Sequence, residues 1–502
     1  MEASPRGGVL ELTRAAARPG RLTIRGSGML EQLVGRPSLA SDAIAIRDGR
    51  VEVRDERALA GPLMDELVRA AVFGASDDEK GYARWVIWEI GEAVGVRAAS
   101  IHELYLARGR GEIGGFTVPA MNIRALTYDT VRSVFRTANR LDAGAFILEI
   151  ARSEIAYTDQ RPSEYVAVIL AAALREGFRG PVFIQGDHFQ VNAKKYAAGA
   201  DAEVDAVRQL AYEAIAAGFY NIDVDTSTLV DLSKEGLDAQ QRLNYEVGVE
   251  LTRYVRSLEP KGVTISIGGE IGEVGTENST VPELRAYMDG YNRLLAERAP
   301  GMAGLSKISV QSGTSHGGVV LPDGTIADVA LDFETLRELS RVARDEYGIA
   351  GAVQHGASTL PDAAFGNFPK TETAEIHLAT NFQTMMYDQL PVELREEMYE
   401  WLRVNAKDER KATDTDEQFF YKARKKAIGP FKRAVWDQPE EWRTKLGAAY
   451  DVKFGFLFEQ LGVAGTKGSV TKYVTAPEQH RPEPKAGAGL LAAAPDDPDA
   501  GE

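Results

Sequence analysis

Between residues 114 and 390 the chain repeats one pattern eight times: a short β-branched or aromatic run, then an amphipathic helix. The runs are Phe116–Ile123, Ala145–Ala151, Pro181–Asp187, Phe219–Asp225, Thr264–Ile271, Lys307–Gly313, Gly351–Ser358 and Ala374–Thr380. Several are almost continuously apolar, as suits strands buried on both faces. The helical segments carry stripes at i, i+3, i+4 and i+7. One stripe is Leu284, Tyr287, Met288, Tyr291, Leu294 and Leu295, and it follows Thr280-Val281-Pro282-Glu283. That tetrapeptide is a capping-box sequence with proline in the first turn. Strands alternating with helices predict a parallel sheet. Eight units in roughly 270 residues is the size of an α/β (β/α)8 TIM barrel. An open doubly wound sheet would carry a Gly-rich loop after its first strand, where this chain has Met121-Asn122-Ile123-Arg124.

The flanks read differently. Residues 1–112 form a mostly helical extension after short strand-like starts at Arg21–Arg25 and at Ala43–Val53, around Asp48-Gly49. The barrel is expected over 113–390, a second helical region over 391–475, and a disordered tail over 476–502. The tail is rich in Pro, Ala, Gly and Asp, which cannot build a core of their own.

Charge and composition narrow the partners. Lys plus Arg is 58 and Asp plus Glu 74, so the net charge is −16. Such a chain repels phosphate backbones as a whole, which argues against nucleic acid. An anionic substrate would need a local positive site such as a metal. The absence of cysteine excludes disulfides and thiolate metal sites and suits a cytoplasmic setting. Met1 to Gly28 lacks the apolar core of a signal peptide. The longest apolar run, Val166 to Leu174, is about half the ~20 residues of a membrane helix. No membrane partner is expected.

A barrel of this type does its chemistry at the C-terminal ends of its strands. There the third run ends Gln185-Gly186-Asp187-His188, and the fourth ends Asp223-Val224-Asp225. The fifth carries Glu270, the sixth leads into Gly313-Thr314-Ser315-His316-Gly317-Gly318, the seventh into Gln354-His355-Gly356-Ala357-Ser358, and the eighth carries His377. A lone histidine at a strand end is usually structural, and a lone aspartate there usually caps a helix. Four of only six histidines at one edge of one barrel form a candidate site instead. Three neutral imidazoles with one open position make a catalytic zinc arrangement, and His188, His316 and His355 can converge across the mouth. The glycines after His316 and His355 let backbone N–H groups approach an anion.

These segments, in this order, resemble the class II, zinc-dependent fructose-bisphosphate aldolase family over about residues 114–390. Asp187-His188, Asn221-Ile222-Asp223-Val224-Asp225, Gly269-Glu270-Ile271-Gly272, Ser315-His316-Gly317-Gly318, Gln354-His355-Gly356-Ala357-Ser358 and Ile376-His377-Leu378-Ala379-Thr380-Asn381 carry the resemblance. It implies a lyase of carbohydrate metabolism, of the glycolytic aldolase type, acting on a sugar phosphate such as fructose 1,6-bisphosphate through a metal-stabilised enediolate. It implies Zn2+ or another divalent cation on His188, His316 and His355, with Asp223 and Glu270 as an alternative or second cation position. It implies that Asp187 moves the proton on the substrate's aldehyde oxygen and that a loop acid, Glu273 or preferably Glu277, moves the carbon-bound one. Asn122, Gly317, Gly356, Ser358, His377 and Thr380 would line the substrate and phosphate pocket. A homo-oligomer, dimer or tetramer, goes with the family. The chain has Gly268 where the family has the first Glu of Glu-x-Glu, Val319-Val320 where it has Tyr-Lys, and His377 and Ala379 where it has Asn and Asp.

Two other readings are open: a non-catalytic aldolase-like scaffold or accessory subunit, and an aldolase for a different sugar. A metal hydrolase on the same barrel would usually place His-x-His on the first strand, which Met121-Asn122-Ile123 lacks.

Overall fold

A computed structural model describes residues 42–272, 277–313, 321–322, 331–485, 487 and 489–497. The segment Arg21–Arg25 and residues Glu273, His316, Gly317, Val319 and Val320 lie outside them.

The chain opens with an antiparallel hairpin of β1 (Ile44–Arg47) and β2 (Arg50–Val53). Its turn is Asp48-Gly49, with φ of 51° and 69°. Two consecutive left-handed residues are what a tight hairpin asks for, and Asp-Gly supplies them at low cost. Helices Pro62–Phe73 and Asp77–Val94 follow, then β3 (Val96–Ala99), a strand the sequence reading did not anticipate.

The eight anticipated runs all become parallel strands: β4 (Val118–Asn122), β5 (Ile147–Ala151), β6 (Gly180–Gln190), β7 (Asn221–Asp225), β8 (Ser266–Glu270), β9 (Lys307–Val310), β10 (Ala352–Gln354) and β11 (Glu375–Leu378). Each pairs with the next, and β11 returns to pair with β4, so the sheet closes into an eight-stranded barrel. β3 adds outside the ring, Val96 opposite Gly180 through Ala99 opposite Phe183. The capping box at Thr280 and Glu283 starts helix Val281–Arg298, which buries Leu284, Tyr287, Met288, Tyr291 and Leu295 as its stripe predicts.

The N-terminal end of the barrel is plugged. Helix His102–Gly109 lies beneath it, with Leu104 and Tyr105 packed on Val118, Ala120, Ile147 and Phe183. The Ile101 amide donates to Asn221 Oδ1 at 2.9 Å, and the Tyr105 hydroxyl donates to Glu375. Arg108 is buried and donates to the carbonyls of Phe116, Ala350 and Thr373. Access to the interior is therefore from the opposite, C-terminal end.

Beyond the barrel come helices Val392–Asn405, Asp416–Ala423, Lys432–Trp436, Glu440–Gln460 and Lys467–Tyr473. The tail differs from its expected disorder. Its described residues from 476 to 485 run as an extended strap along the N-terminal helices. The indole N–H groups of Trp85 and Trp88 donate to the carbonyls of Arg481 and Gln479 at 3.0 and 2.7 Å. The Arg481 guanidinium lies 3.4 Å over the Trp88 ring, and its amide donates to Glu89. Asp497 is 1% exposed, with its carboxylate 2.9 Å from Lys195 and 3.5 Å from Arg152. Such a composition builds no core, yet a preformed surface of indoles and charges can still hold it. Among the described residues no helix is long and apolar enough to cross a membrane.

Candidate active site

One irregularity builds the centre. Successive side chains on a strand normally point to opposite faces. Between β6 and β7 the register passes from Gly186 opposite Ile222 to Phe189 opposite Val224, so two residues, Asp187 and His188, face one. This is a β-bulge, a device that re-aims side chains. His188 takes φ of 42°, an uncommon conformation for a residue with a Cβ. Gly186 is required beside it, because a Cβ there would lie 2.4 Å from the Phe189 ring. Adjacent Asp187 and His188 can then both serve the interior.

At the mouth, His188 Nε2 lies 3.0 Å from His355 Nδ1. The other His188 nitrogen, Nδ1, lies 3.0 Å from Asp225 and 3.7 Å from Glu270. His355 Nε2 is 3.0 Å from Ser309 Oγ. Asp187 has both oxygens held: Oδ2 accepts from Asn122 Nδ2 at 2.8 Å, and Oδ1 is 3.1 Å from His377 Nδ1. Asn122 also donates to Glu154, which pairs with Arg124 at 2.5 Å. Lys425 from the C-terminal helical region is half-buried, and burial with the nearby Arg124 guanidinium lowers its pKa to about 8.

Deeper in the barrel a second charged layer sits on the plugged end. Lys307 Nζ lies 2.9 Å from Asp223, 2.5 Å from Glu375 and 2.9 Å from Gln185 Oε1. His377 bridges the layers: Nε2 is 2.8 Å from Glu375, and Nδ1 is 3.1 Å from both Glu149 and Asp187.

Burial penalises each of these charges, and neighbours decide which survive. Burial alone would raise the Asp187 pKa, but His188 and His377 hold it well below the usual range. Burial would lower His188, yet Asp187, Asp225 and Glu270 carry it up to about 10. Burial dominates at Glu270, and the Asp225 charge adds to it, so that carboxyl is pushed well up. In the deeper layer Lys307 overcomes burial and draws Glu375 down to about 2, while burial raises Glu149 to about 8.

Of the residues proposed from sequence, the fold brings together Asp187, His188, His355, Glu270, Asn122 and His377. Ser358 accepts from the Ala379 amide at 2.6 Å, beside Thr380 at the start of helix Thr380–Gln389. Gly356 follows His355 with φ of 70°. Glu277 is exposed on the segment leading to the helix at Val281, and His316 and Gly317 are outside the described residues. Two placements differ from expectation. Asp223 is not beside Glu270 but in the Lys307 layer; the carboxylate next to His188 and Glu270 is Asp225. His377 is turned to Asp187 and Glu375 rather than presented to a ligand. Glu149, Lys307 and Glu375 were missed altogether. The signal available was a charged residue inside an otherwise apolar strand pattern.

The donors suit a divalent cation. Two imidazole nitrogens on one tetrahedral zinc would stand about 3.3 Å apart, close to the His188–His355 separation. Asp225 on the far nitrogen of His188 matches the carboxylate that usually orients a metal-binding histidine. Ligand atoms of Asp187, His188 and His355 all lie within 4.8 Å of one another.

Residues 110–437 match the family described as fructose-bisphosphate aldolase class-II. No curated protein matches the sequence. Similar solved structures include a fructose-bisphosphate aldolase from Campylobacter jejuni (18% identity, 75% of this chain and 99% of that one, TM-score 0.45). They also include the YdjI aldolase from Escherichia coli K12 (12% identity, 74% and 99%, TM-score 0.44). A third is a fructuronate-tagaturonate epimerase from Cohnella laeviribosi (13% identity, 77% and 86%, TM-score 0.47).

Proposed function

The chain belongs to the class II fructose-bisphosphate aldolase family, and on that premise we propose that it is a metal-dependent lyase that cleaves and forms a carbon–carbon bond in a ketose phosphate. The observation that carries this reading is the convergence of His188, His355 and Asp187 at the open end of the barrel. His188 and His355 would hold the cation, with His316 as the third donor by family resemblance. When bound, a divalent cation supplies Lewis-acid polarisation of a ketone oxygen.

The chain's own groups do the rest. Asp187 is fixed by Asn122 and His377, so it meets the aldehyde-forming hydroxyl in one orientation. It takes that hydroxyl's proton on cleavage and returns it on condensation. Glu277, in the segment after β8, is the proposed partner for the proton on carbon. Gly356, Ser358 and Thr380 would receive one phosphate. Arg124, which reaches Gln383 of the helix that begins at Thr380, and Lys425 add positive charge to the same rim and suit an anionic substrate. Burial of the mouth strengthens each of these interactions.

A ketose other than fructose 1,6-bisphosphate is favoured by one observation. Both His377 nitrogens face carboxylates of the protein, where the family resemblance led to a substrate contact.

The test is metal analysis of the purified protein, then aldol cleavage over a panel of ketose phosphates and sugar acids. Bound divalent metal with turnover of at least one member is expected. A protein that takes up no zinc, cobalt, manganese or iron, or one that is metal-loaded yet inert on the whole panel, would falsify the reading.

A further inference from the structure

Lys307 takes no part in the reading above, yet it is fully buried inside the barrel. Its side chain reaches the interior past Gly268. A Cβ at 268 would lie 2.3 Å from Asp223 Oδ1 and 2.8 Å from Lys307 Cε, so any larger residue would close that path. Around the ammonium, ligand atoms of Glu149, Asp223, Glu375 and His377 lie within 4.8 Å of one another. That is an arrangement suited to a cation, and Lys307 fills the need from within.

We propose that Lys307 is a positioning residue: a permanent internal cation that fixes Glu375 against His377 and, through His377, fixes the rotamer of Asp187. The inference rests on the reading of Asp187 as the proton-transfer group. The contacts are continuous. Lys307 Nζ is 2.5 Å from Glu375 Oε1, and the same oxygen is 2.8 Å from His377 Nε2. His377 Nδ1 is 3.1 Å from Asp187 Oδ1. Tyr105 holds the other Glu375 oxygen from below, and Gln185 ties Glu375 to Glu149. Without the ammonium, Glu375 and Asp223 would be like charges in a dry interior, and His377 would be drawn between them rather than held on Asp187.

A double-variant cycle separates this role from a merely structural one. Lys307→Met, His377→Asn and the pair are compared with the parent for kcat, KM and bound metal. A misplacement on the order of 1 Å can cost about 10²-fold in turnover. Lys307→Met is therefore expected to lower kcat by roughly that factor, with KM within about threefold and metal content unchanged. The double variant is expected to be no slower than His377→Asn alone, because both act on one link. Parent-like kcat in Lys307→Met, or losses that multiply in the double variant, overturns the proposal. If Lys307→Met fails to fold, Lys307→Met with Asp223→Asn restores charge balance, and the same kcat loss is expected from it. Structures of the parent and of a folded lysine variant decide the network without reference to turnover. His377 released from Asp187 is expected, and His377 still seated on Asp187 overturns the proposal. A parent that is inert on every ketose phosphate defeats the functional reading alone.

Discussion

The barrel interior holds two charged layers of similar make-up that solve opposite problems. The deep layer, Glu149, Asp223, Glu375 and Lys307, neutralises itself: the ammonium sits between two carboxylates, burial keeps Glu149 protonated up to about pH 8, and His377 contributes a further positive charge. The mouth layer, Asp187, Asp225 and Glu270 around His188 and His355, forms ion pairs with histidine only among the described residues, and the nearby Arg124 is paired with Glu154. Its carboxylates instead press a proton onto His188, and burial, with the Asp225 charge added, keeps one on Glu270. A buried cluster that cannot balance its own charge is costly to stability, and is retained where an outside cation completes it. The contrast teaches that net charge, more than the presence of ligand-type residues, separates a structural polar layer from a candidate site.

The strongest way to break the contrast is to remove the mouth donors. His188→Ala together with His355→Ala should abolish stoichiometric metal binding and turnover while circular dichroism stays that of the parent. Metal retained by this variant would move the cation away from the mouth. Asp187→Asn comes next. It should keep the metal and lose about 10²–10⁴-fold in kcat, the usual worth of a positioned proton-transfer group; a loss of metal instead would make Asp187 a ligand.

Proton linkage sharpens the comparison through one group from each layer, Glu375 and His188, whose shifts act at opposite ends of the pH scale. Glu375 is held at about 2, below its ordinary 4.5. Its stabilisation is present above pH 4.5 and lost as pH falls towards 2. His188 without metal is raised from 6.5 to about 10. Its stabilisation is full below pH 6.5 and lost as pH rises through 10. Urea midpoints of chelator-treated protein should therefore decline between pH 6.5 and 10. Metal-loaded protein should not share that decline, since its histidine is already deprotonated. The smallest effect belongs to the deep layer. Tyr105→Phe removes one hydroxyl from Glu375 and should cost about 1–2 kcal/mol of unfolding free energy, with metal content untouched. Metal loss in that variant would mean that the layers are not separable in the way described.

Much of this was legible along the chain. All eight barrel strands followed from period and composition, because a strand buried on both faces has few ways to be written. The Asp48-Gly49 hairpin and the capping box at Thr280 were legible for local reasons of the same kind. The site was legible in part. His188, His355, Glu270 and Asp187 were named from strand-end position, and they do meet. The resemblance gave Asp223 as the partner of Glu270, whereas Asp225 stands beside it; residues two apart on one strand share a face and differ only in depth. Depth depends on strand stagger, which no single segment encodes. The tail was misread because composition reports what a segment can bury by itself, and says nothing of the Trp85, Trp88 and Glu89 surface that receives it.

The sequence by itself determined the barrel, its strand order and the end at which polar residues collect, because these follow from local periodicity and from the short connections between units. Only the tertiary structure decided which charges share a layer. Ring closure and the bulge at Asp187-His188 set the height of each inward side chain. Gly268 opened the path by which Lys307 settles one layer and leaves the other in need of a cation.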